Sequence, residues 1–201
     1  QNMDFDVWSQ KGNLGWSYND VLPYFKSMET KVGSGDDGYH GKNGEQLITD
    51  LTWRDPLCDA FIQGAIDYGI PLNRDYNGKS QEGVSYVQRT TSGKFRRSSS
   101  RSFLNPIKKR KNLKIITNAH VKKIIIKNKK AEGIEYFVGN HNGKLEKIFC
   151  EKEIILSAGV INSPQILQLS GIGPADFLRE HNIQIIHELD GVGKNLRDHY
   201  N

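Results

Sequence analysis

The segment Ile154-Ile-Leu-Ser-Ala-Gly159 constrains this chain more than any other feature. A continuous apolar run of this length suits a strand buried on both faces, as in parallel sheets. It stops at two small residues. Asn162-Ser163-Pro164 follows within three positions, offering a cap and a proline for the first turn of a helix. Ile166, Leu167 and Leu169 fill that helix's inner face, and Ser170-Gly171 ends it. A strand running straight into a capped helix is the building unit of an open α/β sheet, where ligands bind just past the carboxyl ends of strands. Small residues there let a ligand approach the backbone, and the first helical N–H groups suit a phosphate. An ordinary tight βα turn accounts for the same residues equally well.

The surrounding pattern extends this reading. Leu113–Thr117 is a second apolar, β-branched run. Between the two runs lie three further predicted strands, Val121–Ile126, Gly133–Val138 and Leu145–Cys150, with Asn142-Gly143 as a hairpin signal. Pro174–His181 predicts a short helix and Ile183–His187 one more strand. Towards the amino end, residues 1–18 read as irregular. A helix follows, capped by Asn19 or Asp20, with Pro23 in its first turn. Residues 32–46 are a glycine-rich loop. Asp55-Pro56 opens a helix with Leu57, Phe61, Ile62, Ala65 and Ile66 at helical spacing, and Gly69 stops it. Val84–Thr91 predicts a strand, and Ser98–Phe103 a short helix ended or bent by Asn105-Pro106. The pattern is mixed α/β and fits an antiparallel β-meander inserted in a doubly wound, Rossmann-like sheet, with parallel pairing left open.

Several function classes lose ground on composition. No run of 18 apolar residues exists, so no transmembrane helix is expected. Two distant cysteines, Cys58 and Cys150, make neither a disulfide framework nor a metal site and read as free thiols. His40, His120, His141, His181 and His187 show no ligand spacing, so no metal is expected. From Lys94 to Lys130 there are fourteen Lys and Arg and no acid, which could attract an anionic partner. Only Phe95 and Phe103 interleave with these charges, so a nucleic-acid partner is not expected.

Gly159-Val-Ile-Asn-Ser-Pro-Gln-Ile-Leu-Gln-Leu-Ser-Gly-Ile-Gly-Pro174 resembles the second signature of the glucose–methanol–choline (GMC) oxidoreductases, departing at Val160, where the family normally has a small residue. Other blocks agree in order: Asp6-Val-Trp8, Gly15-Trp16-Ser17 and Asp20–Phe25; Asp75-Tyr-Asn-Gly78 with Gly83; Gly93–Ser98; Asn112-Leu113; and Val192–His199. The resemblance covers the whole chain and is nearest in style to insect glucose dehydrogenase-like members, a style that points to a secreted protein. It implies a partial FAD-binding domain and part of a substrate cap, with residues 1–83 on the cap and substrate side and 84–201 forming the second portion of the FAD domain. It also implies that Val121, through its backbone, and Ala158 and Gly159, at the strand end, line the adenosine side of an FAD site. Read without the family, Val121 is a strand core residue.

The activity so implied is oxidation of an alcohol or sugar CH–OH group. A histidine base takes the hydroxyl proton and the flavin takes the hydride; the electron acceptor is open. No catalytic residue is expected in this chain. The G-x-G-x-x-G fingerprint is absent, the family's catalytic histidine lies beyond the block ending at His199, and His199 itself reads as structural. The chain is therefore expected to be an internal piece of a longer enzyme, inactive by itself. A hydroxynitrile lyase, which shares the fold and FAD, and a non-catalytic product with a basic binding surface are the rival readings.

Overall fold

Four aromatic rings organise the start of the chain. In the computed structural model, which describes residues 1–198, Asn2–Gln10 forms helix α1 and Tyr18–Met28 forms α2. Phe5 meets Trp8 and Phe25 edge-on, with ring centres 5.6 and 5.7 Å apart, and Trp8 lies 5.8 Å from Trp16. The stretch expected to be irregular is thus helical over its first half. A nine-residue helix is marginal alone, and packing of its rings against α2 supplies what local propensity does not. α2 starts at Ser17, not at Asn19 or Asp20. The Asp20 N–H donates to Ser17 Oγ (3.4 Å) and the Ser17 N–H to Asp20 Oδ2 (3.0 Å), a reciprocal capping box. Pro23 therefore falls inside the helix, beyond its first turn.

The rest of the first compact unit, Gln1–Lys114, is held by short elements. Strands β1 (Glu29–Val32) and β2 (Gln46–Thr49) pair in parallel across the glycine-rich loop. Helix α3 (Pro56–Asp67) is bounded as its sequence predicts: Asp55 Oδ1 accepts the Leu57 N–H at 2.9 Å, and Gly69 leaves the helix at φ +104°. The strand expected over Val84–Thr91 shrinks to single bridges, Leu72 with Val84 and Thr49 with Arg89. Each partner offers one residue, Leu72 in a loop and Thr49 at the end of β2, so no ladder forms. A hairpin of two-residue strands follows, β3 (Thr91–Ser92) with β4 (Phe95–Arg96). The next helix is not stopped at Asn105-Pro106. A wide π turn over Ser100–Leu104 runs into α4 (Asn105–Ile107), with the Asn105 N–H donating to Ser100 O and Pro106 in the first turn, where no N–H is needed.

Ser102 in that turn is fully buried, and its hydroxyl has no hydrogen-bond partner. An unpaired buried hydroxyl destabilises by about 1–3 kcal/mol. Ser102→Ala, made in the protein expressed from its full reading frame, is therefore expected to raise the melting temperature. A lower melting temperature would show that the hydroxyl is satisfied.

The second unit, from Ile115 on, is built on the predicted meander. Strands β5 (Ala119–Lys127), β6 (Lys130–Val138) and β7 (Leu145–Phe149) pair antiparallel in that order. Asn142-Gly143 lies in the connection that turns β6 back onto antiparallel β7, as its hairpin signal predicts. The shorter turn, from β5 to β6, is at Asn128-Lys129, where both residues take left-handed φ (+50° and +62°) as a two-residue hairpin needs. On β6 the buried Glu135 sits between Lys147 (3.1 Å) and Lys123 (3.8 Å) of its neighbour strands. The Lys147 hydrogen bond outweighs burial and, with the nearby ammonium charges, holds its carboxyl below the usual range.

Helix α5 (Gly159–Leu169) packs on β5. Ser170 joins them: its Oγ accepts the Ile124 N–H at 2.8 Å and donates to Ile166 O at 2.5 Å. Strands β8 (Ile172–Gly173) and β9 (His187–Glu188) pair in parallel around α6 (Ala175–Glu180). Only the last residue of the expected strand Ile183–His187 takes part in that pairing. Leu178 and Ile166 close the core. The runs 113–117 and 154–157, expected as buried strands, belong to no sheet among the described residues, and Ile155 is 79% exposed. Their sequence is that of central strands, and among the described residues no neighbouring strand pairs with them.

Candidate functional site

Helix α5 begins four residues earlier than a cap at Asn162 would set it. Gly159 is its first residue, at φ +87°, and Ala158 precedes it without capping the helix by a side chain. Ser163 reaches back instead: its Oγ accepts the Ala158 N–H at 3.1 Å. Pro164 therefore stands within the helix. A side chain built on Gly159 would meet no atom within 4 Å. The chain thus presents a bare, left-handed backbone position at the amino end of an eleven-residue helix, flanked by the exposed Val160.

Val121 lies on β5, the strand that packs against α5, opposite Tyr136 of β6. The register slips between Val121 and Lys123, leaving Lys122 unpaired in a β-bulge, and Asn118 just before β5 is left-handed at φ +52°. Bulges turn backbone groups out of the ladder and recur beside binding sites. Val121 is half-buried, so its reading as a pure core residue is too strong. The three residues are brought onto two packed elements of one unit. The bulge at Lys122 carries no residue-type signal that a sequence reader could have used.

These residues fit a flavin nucleotide. An adenosine or diphosphate needs backbone that a Cβ does not block and N–H groups free to donate. Gly159 supplies the first, and the start of a helix without a side-chain cap supplies the second.

One cluster escaped sequence reading. His40 is buried between Glu29 and Asp75, with Nδ1 3.1 Å from both Glu29 oxygens and Nε2 2.8 Å from Asp75 Oδ1. The partners are 11 and 35 residues away, a spacing no motif announces. Among the described residues no group of three or more His, Cys, Asp or Glu is arranged to hold a metal. Cys58 is exposed and Cys150 half-buried, both as free thiols. His199 lies outside the described residues. Among those residues no helix is long and apolar enough to cross a membrane.

The oxygen-dependent choline dehydrogenase of Ectopseudomonas mendocina (strain ymp) is 42% identical over 201 residues, covering 98% of this chain and 35% of that protein. The same-named enzyme of Brucella ovis is 41% identical over 196 residues, with the same coverage. The chain thus spans about a third of the length of these curated relatives. A FAD-dependent oxidoreductase from Chaetomium thermophilum superposes with a TM-score of 0.92 at 31% identity, over 98% of this chain and 36% of its own. Pyridoxine 4-oxidase from Mesorbium loti gives 0.84 at 28% identity, over 94% and 36%. The GMC oxidoreductase profile matches residues 1–201, end to end. With the open glycine at the head of α5 and the antiparallel meander as its structural counterparts, this chain belongs to the GMC oxidoreductase family.

Proposed function

We propose that this chain is part of an FAD-dependent oxidoreductase that oxidises a CH–OH group of a small alcohol. The observation that carries the reading is the family match over all 201 residues; the exposed, left-handed Gly159 at the start of α5 supports it. FAD is the cofactor of the family and, when bound, supplies the hydride acceptor. In this chain, the Val121 backbone, Ala158 and Gly159 hold the adenosine side of the nucleotide. Residues 1–83 serve the substrate side and 84–201 form the second portion of the FAD domain. None of the residues of this chain is assigned the proton-transfer step, which a positioned general base accelerates by roughly 10²–10⁴.

The relatives are named for choline and pyridoxine, both alcohols, which favours a small hydroxylated substrate; a sugar is the second candidate. The test is anaerobic titration of the protein, expressed from its full reading frame, with choline, primary alcohols and glucose. Bleaching of the flavin absorption by one of them is expected, with the aldehyde or lactone as product. A preparation that binds no flavin overturns the reading. One whose flavin stays oxidised while a cyanohydrin is cleaved replaces it with the lyase.

A further inference from the structure

The loop from 33 to 44 joins β1 to β2 and carries five glycines. Two of them are pressed against the end of α2: a Cβ on Gly41 would lie 1.9 Å from Lys26 O, and one on Gly44 2.0 Å from the Met28 carbonyl carbon. The loop is therefore seated backbone to backbone, and charge holds its far side. His40, 6% exposed, bonds Glu29 of β1 through one ring nitrogen and Asp75 through the other. Glu29 Oε2 also accepts the Gly41 N–H at 3.0 Å. Asp75 Oδ2 accepts the Asp36 N–H at 3.2 Å, and its Oδ1 accepts from the Gln88 amide at 3.4 Å. Three side chains thus tie β1, the loop, the Asp75 turn and the segment around Gln88 into one knot.

A carboxylate is acceptor-only while ionised, so both ring contacts are hydrogen bonds only while both ring nitrogens carry hydrogen. The charges around the knot are otherwise engaged. Lys31, next to it on β1, bonds Asp50 at 2.6 Å, and Asp50 also accepts from the Ser34 N–H and hydroxyl. The Asp36 carboxylate accepts the Gly38 N–H, Asp37 pairs with Lys42, and Lys26 donates to the carbonyls of Asp37 and Gly38. Protonating a carboxylate of the knot turns one of its acceptor oxygens into a donor that faces N–H groups.

We propose that Glu29, His40 and Asp75 form a clasp that keeps the 33–44 loop closed while both carboxylates are ionised and releases it when acid protonates them, ahead of unfolding of the unit. The direction follows from Asp75. Burial raises its carboxyl, but the bond from His40, the Asp36 N–H, the His40 charge and Gln88 together outweigh burial and hold it below the ordinary aspartate value. A depressed carboxyl stabilises the closed form above its unfolded value, and that stabilisation is lost as pH falls through the folded one. The proposal does not depend on the redox reading, since it concerns a loop and not the flavin.

The experiment is amide hydrogen exchange of the protein expressed from its full reading frame, from neutral pH downward, corrected for intrinsic exchange. Protection of residues 36–44 is expected to fall roughly tenfold or more below the ordinary aspartate range while the α3 and β5–β6 amides keep theirs. Asp75→Asn and His40→Gln are expected to show the open-loop exchange already at neutral pH and to lose the acid step. Loop, helix and sheet losing protection together in the wild type would overturn the clasp, whether or not either variant folds. Variant loops exchanging within about twofold of the wild type at neutral pH would also overturn it.

Discussion

Residues 1–201 expressed alone are expected to show no cooperative heat-capacity peak and to aggregate on refolding. The folded chain exposes 15693 Å², whereas a monomer of 22.8 kDa exposes roughly 9600 Å². About 6000 Å² in excess is left in water. Its character is wrong for a surface: Trp53, Leu57, Phe61, Tyr68, Ile155 and Val160 are all exposed. The runs 113–117 and 154–157 have no ladder partner among the described residues, and unpaired apolar strand edges template association. Differential scanning calorimetry with light scattering checks this. A sharp transition of about 0.7 kcal/mol per residue, without scattering, would sink the idea.

Gly171→Ala is expected to cost more than about 3 kcal/mol, and Gly159→Ala only about 1–2, although both glycines have nearly the same φ. Gly171 is at +83° and Gly159 at +87°. What separates them is space. A Cβ on Gly171 would lie 2.3 Å from Gln184 O and 2.8 Å from Ile186 Cγ1, where the Gly171 carbonyl accepts the Ile186 and His187 N–H groups. Relieving the clash therefore breaks the connection between β8 and β9. A Cβ on Gly159 meets nothing, so only backbone strain opposes it. Its cost appears elsewhere, as lower flavin occupancy, if the bare backbone there faces the nucleotide. Denaturant melts and flavin-to-protein absorbance ratios of the two variants separate these effects. Equal stability losses would remove the steric argument, and full flavin occupancy in Gly159→Ala would remove Gly159 from the cofactor site.

Legibility of the fold followed the range of the signals. α3 was readable because Asp55, Pro56 and Gly69 act on their own turns, and the meander because strand alternation is a two-residue property. The site was half legible. The Ala158-Gly159 step announces itself by small residues between strand and helix. The bulge beside Val121 depends on how β5 and β6 slip past one another, and nothing in Val121 or Lys122 encodes it.

By itself the sequence determined the α/β class, the meander, the boundaries of α3 and the family. Each of these rests on caps, turn residues or ordered motifs that act within a few positions. Tertiary structure alone decided that α1 is a helix, that α5 starts at Gly159, and that His40 is gripped by Glu29 and Asp75. It also decided that two runs with the composition of central strands stand without strand partners among the described residues. The physical reason is the same in each case: ring packing, ion pairing and sheet pairing join residues far apart in sequence, and their energy exists only once the chain has brought them together.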